Sequence, residues 1–394
     1  MSVVLPTDLL RPIIAHVIKN RDLRALSLAC HTLREEAQRA MFETAAITIY
    51  ASGHQRSLAF FNAIVASPNR LALAVRKLRI NICGVSIEGE LANIPPRQQS
   101  GGWPETIGAK IREGLQLADQ MTHLRVVVRL RRGFVVASHA KHCLESLLEG
   151  CLFRLKVLVW DVPTTDLKNF ILRSLENKSE LNVLVLPTVT HLSRSQTLSD
   201  SKIPTLLFEI CKRLRTLSAS WDLIRPILGK GIVIPHLQPT GIPTVPLAYT
   251  PELRKAIGSV THLWCRSAFQ SLEFDIVDLR NMVLLQIEWL LEQEYAAIAA
   301  LPKLQTLIVM DDSHSMTGPS DAITQMVEFL LRNSATLEKI YIKQPLGVTK
   351  YHPDYDCFTY IPLLDQVQMR LVYRREMSEL RHQSGLDFAD GVLR

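Results

Sequence analysis

Four groups of residues in this chain have types and spacings that chemistry could use. Ser199 and Lys202 stand in the S-x-x-K spacing that lets an amine take the proton of a nucleophilic serine, but the S-D-N and K-T-G blocks that accompany such a pair are absent. His139, His142 and Cys143 put soft ligands on one side of a helical stretch, yet zinc takes four ligands and no fourth is evident. Asp311-Asp312-Ser313-His314 follows an apolar run, at a strand end where acids and bases collect, and no nucleophile pairs with it. Arg125, Arg129, Arg131 and Arg132 form the densest basic cluster; three of them alternate with apolar residues, as on a half-exposed strand facing solvent, an acidic peptide or nucleic-acid phosphates. No catalytic residue, cofactor or metal site is expected from these patterns.

Composition sets the frame that must hold such residues. With 394 residues and 47% hydrophobic content the chain can bury a large core, in two or three domains or one extended array. Seven scattered cysteines give neither a disulfide framework nor a C-x-x-C knuckle, which fits reduced thiols in the cytoplasm or nucleus. No secretory leader pattern and no membrane-length apolar run is present, so a soluble protein without a membrane partner is expected. The net charge of +7 is spread along the chain. It would favour acidic partners, or nucleic acid in the case of the arginine cluster.

From residue 75 onward one pattern recurs. An apolar residue, two variable ones, an apolar one, a variable one and a further apolar or small one recurs as Val75-Leu78-Ile80, Met121-Leu124-Val126, Leu155-Leu158-Trp160 and Leu181-Leu184-Leu186. It continues as Leu214-Leu217-Ala219, Val260-Leu263-Cys265, Leu304-Leu307-Val309 and Leu337-Ile340-Ile342, the middle residues lying 26 to 46 apart. Helical stretches lie between: Glu105 to Gln120, Ser138 to Gly150, Thr165 to Glu176, Pro251 to Gly258, Ile287 to Ala300 and Ser320 to Arg332. Ala46 to Tyr50 reads as a strand and Arg56 to Val75 as a helix ahead of them. Units of this kind cannot bury their apolar edges singly; stacked, they make a parallel sheet with helices behind it. The pattern resembles an irregular leucine-rich repeat whose usual Asn is missing. A doubly wound α/β domain would also alternate strands and helices, but no Gly-rich phosphate loop accompanies this one.

Gly84 to Gly102, Pro187 to Ser201 and Gly229 to Thr250 read as surface loops; the last holds Pro235, Pro239, Pro243 and Pro246 and is not expected to be a central strand. Tyr351 to Asp356 reads as a polar loop, and Leu363 to Leu380 as a closing strand or helix. Residues between the core positions of each hexad, namely Arg79, Arg125, Val159, Val185, Ser218, Trp264, Ile308 and Tyr341, should line the sheet's other face. Trp264 and Tyr341 are residue types that anchor interfaces, so with Arg266, Met310 and Lys343 they form the expected target-binding patch.

The most specific stretch is Leu5 to Phe42. Leu9, Leu10, Ile13, Ile14 and Val17 recur at helical spacing, as do Leu23, Leu26, Cys30, Leu33 and Ala37 after a polar break, so two amphipathic helices are expected. Asp22 is placed to cap the second and Thr7 or Asp8 the first, while Pro12 should lie at a kink or after a short opening turn. Leu5-Pro6, Leu9, Ile13, Asp22-Leu23, Leu26-Ser27, Cys30 and Arg34 resemble the F-box, with Leu33 standing where many members carry Trp. That family docks substrate receptors on a Skp-type adaptor of cullin-based ubiquitin ligases. The resemblance implies adaptor contacts at Leu5, Pro6, Leu9, Ile13, Leu23 and Leu26. It implies a non-catalytic receptor in which an F-box-like module (residues 1–45) precedes a leucine-rich-repeat-like α/β solenoid (residues 46–394). A helical hairpin used only for packing, a repeat scaffold unrelated to ubiquitin and a nucleic-acid-binding protein are the alternatives.

Overall fold

The central residue of each hexad lies on a strand, and apolar residues recurring every three or four positions open the chain as helices. The computed structural model describes residues 7–17, 20–50, 54–83, 105–129, 143–162, 170, 174–175, 180–186, 205–240, 250–265, 275–310, 321–343, 355–361 and 366–372. The chain divides into two compact units, Met1–Leu181 and Asn182–Arg394. The expected boundary at residue 45 falls inside the first.

The first unit opens with α1 (Thr7–Ala15), α2 (Asn20–Ala29) and α3 (His31–Glu43). Three helices stand where two were expected, because the backbone breaks at Cys30 (φ −157°, ψ 168°) although the apolar spacing runs on through it. The break folds α3 back so that Leu23, Leu33 and Ala37 share a small core with Ile14; a straight helix would carry its two ends apart. Arg34 Nε donates to the Ser27 carbonyl (3.1 Å), satisfying the end of α2. Asp22 lies within the first turn of α2 instead of capping it, where its charge suits the helix dipole. Pro12 sits inside α1, and the helix tightens beyond it: His16 and Val17 donate to the carbonyls three residues back.

Strands β1 (Thr44–Tyr50), β2 (Lys77–Cys83), β3 (His123–Arg129) and β4 (Val157–Asp161) follow in parallel and in chain order. Their register puts Ala45, Leu78, Leu124 and Leu158 in one row. Helix α4 (His54–Ala66) ends before Pro68, shorter than the spacing suggests, and a π-helical turn (Pro68–Ala72) completes the connection. Phe61 and Ile64 of α4, with Ile107, Ile111 and Leu115 of α5 (Glu105–Leu117), are buried. Gly114 is the point of closest approach: a Cβ there would lie 2.7 Å from the Phe61 ring.

In the second unit β5 (Val183–Val185), β6 (Thr216–Ser220), β7 (His236–Thr240), β8 (His262–Trp264), β9 (Leu284–Ile287), β10 (Thr306–Val309) and β11 (Lys339–Lys343) are also parallel neighbours. Leu184, Leu217, Leu237, Leu263, Leu285, Leu307 and Ile340 align across them, and all are buried. β12 (Tyr355–Ile361) and β13 (Gln366–Val372) add antiparallel strands at one edge, so Tyr355 and Asp356 are strand, not loop. Helices α6 (Thr205–Cys211), α7 (Trp221–Gly229), α8 (Pro251–Ile257), α9 (Glu292–Ala299) and α10 (Asp321–Asn333) lie between strands. The first two fall where no helix is expected, and Ile287 ends β9 instead of opening a helix.

Two strands hide in the two longest hexad gaps of this unit. Met282-Leu285-Ile287 is a full hexad. β7 breaks the pattern with Pro239, and it is central despite its proline. The Pro235 carbonyl accepts from the Thr261 and His262 amides, so alternate residues of β7 point toward β8. That pairing stops at Leu237 and Leu263, ahead of the proline that has no N–H to continue it. One junction recurs at strand entrances: two successive amides share a single carbonyl of the preceding strand, as Arg215 and Thr216 do at Asn182, Val283 and Leu284 at Thr261, and Glu338 and Lys339 at Gln305.

Candidate docking surfaces

The N-terminal helices split the expected adaptor contacts in two. Leu23 is 4% exposed and Leu26 half-buried against the Ile14–Ala37 core, so both serve the module's own packing and do not join an outward stripe. Leu9 and Ile13, one turn apart on α1, point outward at 52% and 53% exposure, beside exposed Pro12. Leu28 near the end of α2 is 80% exposed. Leu5 and Pro6 lie outside the described residues. Polar contacts hold α1 in place: both Nε and Nη2 of Arg11 reach the Glu36 carboxylate (3.2 Å each), and Arg39 adds a third contact at 3.1 Å. The hydrogen bond from Arg11 holds the Glu36 carboxyl below its ordinary range.

The expected target patch is a buried row. Trp264 and Tyr341 are each 3% exposed, so their rings offer no open surface, and Arg266 lies outside the described residues. Val159, Val185, Ser218 and Ile308 are buried with them; Met310 and Lys343 keep partial exposure. At these positions both faces of the parallel sheet are therefore buried and the expected open face is absent, whereas Arg79 on β2 keeps partial exposure. The row carries two glutamines that pattern reading passed over, Gln238 and Gln286, in register with Ser218 and Trp264. The Oε1 atoms of both glutamines are buried with no hydrogen-bond partner among the described residues. Their only signal was a polar residue at a between-core position.

Among the described residues the charged and nucleophilic groups lie apart from one another or in buried pairs. Arg125 is 8% exposed on β3, an inner strand between β2 and β4, so it does not supply a solvated basic edge; the side chains of Arg129, Arg131 and Arg132 lie outside the described residues. Asp161 faces the same side one strand over, and burial raises its carboxyl to about 6 against the opposing pull of Arg125. His236 and His262 sit opposite one another with ring centroids 4.3 Å apart, and burial, then the neighbouring His236, lowers His262 to about 4. Among the described residues no group of three or more His, Cys, Asp or Glu is placed to hold a metal. Cys143 is half-buried, while His139, His142, Ser199, Lys202 and Asp311 to His314 lie outside the described residues. Burial raises the Cys211 thiol to about 12 and Cys265 further, which makes both poor nucleophiles. No helix among the described residues is long and apolar enough to cross a membrane.

The chain matches no protein-family model and no curated protein sequence.

Proposed function

We propose that this chain is a non-catalytic substrate-recognition subunit whose N-terminal helices dock on a Skp-type adaptor, linking a captured protein to a cullin ubiquitin ligase. The observation that carries the reading is the outward Leu9 and Ile13 pair, 52% and 53% exposed, on a helix whose opposite side is packed and pinned. Covering the exposed half of two large aliphatic side chains is worth about 1 kcal/mol each. Leu5 and Pro6 would extend the same contact. The sheet is read as a leucine-rich-repeat-like solenoid, supported by the aligned central leucines and by the recurring shared-carbonyl junction. With the Trp264 and Tyr341 rings beneath the surface, target contact is assigned to Met310 and Lys343, at the C-terminal ends of β10 and β11. Arg266 would complete the patch. The chain supplies proximity and orientation while partners carry out ubiquitin transfer.

Co-expression with a Skp-type adaptor tests this. Wild type should co-purify with the adaptor, and Leu9→Asp with Ile13→Asp should abolish co-purification while the sheet keeps its melting temperature. Failure of the wild type to bind, or equal binding by the double variant, ends the reading.

A further inference from the structure

On the helical side of the second unit, at the C-terminal end of α8, lies an open cleft of about 510 Å³. Its lining includes Pro251, Arg254, Lys255 and Ser259 from α8 and the turn after it, with Arg280 and Asn281 from the segment entering β9. Three cations from two separate segments thus meet over one depression. A fourth stands at the rim: Lys303 Nζ donates to Asn281 Oδ1 at 2.8 Å. Arg254 is ion-paired with Asp278 (3.5 Å), whereas Lys255 and Arg280 carry no ion pair among the described residues.

Basic residues in a last helical turn often serve the helix end itself. Here that role is filled by other groups. The Arg254 carbonyl accepts from the Gly258 amide, the Ala256 carbonyl from the Ser259 amide and the Ile257 carbonyl from the Val260 amide. The Lys255 carbonyl accepts from the Ser259 hydroxyl (3.0 Å) and the Gly258 carbonyl from Asn281 Nδ2 (2.6 Å). With these acceptors occupied, Lys255 and Arg280 are left to a ligand. Gly258 fixes the floor, since a Cβ there would press on the Asp278 and Arg254 carbonyls at 3.2 and 3.3 Å.

We propose that this cleft is a binding site for a phosphate monoester. A single carboxylate would leave charge uncompensated, whereas a phosphate monoester brings about −1.5 to −2 at neutral pH and three acceptor oxygens that suit guanidinium and ammonium donors. The site is independent of adaptor docking, so either reading can fail alone.

Calorimetric titration of the full chain with inorganic phosphate and with a phosphoserine peptide is the test, at low and at physiological salt. Saturable binding of either probe is expected, weakened about tenfold or more by Lys255→Gln with Arg280→Gln. Arg280→Lys, which keeps the charge but loses the fork, should fall between. Equal affinity for both probes assigns the site to free phosphate, and tighter peptide binding assigns it to phosphate carried on a protein. Absence of binding by both probes, or unchanged binding in the double variant with its fold intact, overturns the proposal.

Discussion

Leu9 and Ile13 on α1, and Trp264 and Tyr341 on the sheet, are large apolar side chains that the first count of core positions leaves over, yet one pair is more than half exposed and the other almost wholly covered. The difference lies in what each element packs against. Three short helices enclose a small cluster around Ile14, Leu23 and Ala37, and while the end of α3 goes on to stack Phe42 on Phe60 of α4, the outer side of α1 that carries Leu9 and Ile13 stays exposed. Around Trp264 and Tyr341 the parallel sheet is buried on both faces, so residues on either side of the strand become interior. An apolar residue spare to one core is a docking candidate only where no second layer exists.

The largest test of that contrast is Trp264→Ala. A buried indole should cost about 3–5 kcal/mol in denaturant unfolding, as should an alanine at a core leucine such as Leu307 on a scale of about 2–5 kcal/mol. An unchanged unfolding midpoint for Trp264→Ala would mean that this face is open after all. Asp161→Asn should act in the opposite sense. The folded-state value of about 6 lies above the ordinary 3.8, so wild type loses stability as pH rises from the lower value through the higher. The substitution should therefore gain about 3 kcal/mol at pH 7 and almost nothing below about pH 4, and equal effects at both would remove burial as the cause.

On the helical side smaller effects are expected. Leu9→Asp with Ile13→Asp should change the stability of the isolated chain by no more than about 0.5 kcal/mol, since exposed positions contribute little. A loss as large as that of Trp264→Ala would place the pair in a core. Glu36→Gln should cost a few tenths to about 1 kcal/mol, discounted because Arg11 is 60% exposed. Glu36 is held below its ordinary 4.5, so the contribution is complete above that value and fades as pH falls through the folded value. A cost that persists unchanged in acid would point to packing instead of charge.

Much of the fold was legible because hydrophobic spacing is a local property. All eight hexads fall on strands, and Leu158, Leu184, Leu217 and Leu307 at their centres are buried. What escaped reading depends on geometry that spacing does not carry. Pro239 is compatible with a central strand only because the β7–β8 pairing ends before it, a fact about the neighbour and not about β7. The Cys30 break interrupts an apolar period that a single helix would have satisfied, because closing the small core requires α3 to turn back. The cleft at α8 joins Lys255 to Arg280 from separate segments, which no run of basic residues announces.

By itself, then, the amino-acid order determined the eight hexad strands and which of their central residues turn inward, since period and side-chain volume act over a few neighbours. It also determined that the first helices carry more apolar surface than a small core can take. Only the tertiary structure decided that Leu23 and Leu26 are spent on that core while Leu9 and Ile13 remain outside, and that Trp264 and Tyr341 are covered. The physical reason is that exposure belongs to layers, not to strands or helices. Whether a side chain meets water depends on what is stacked over it, and that is set by residues far away in the chain.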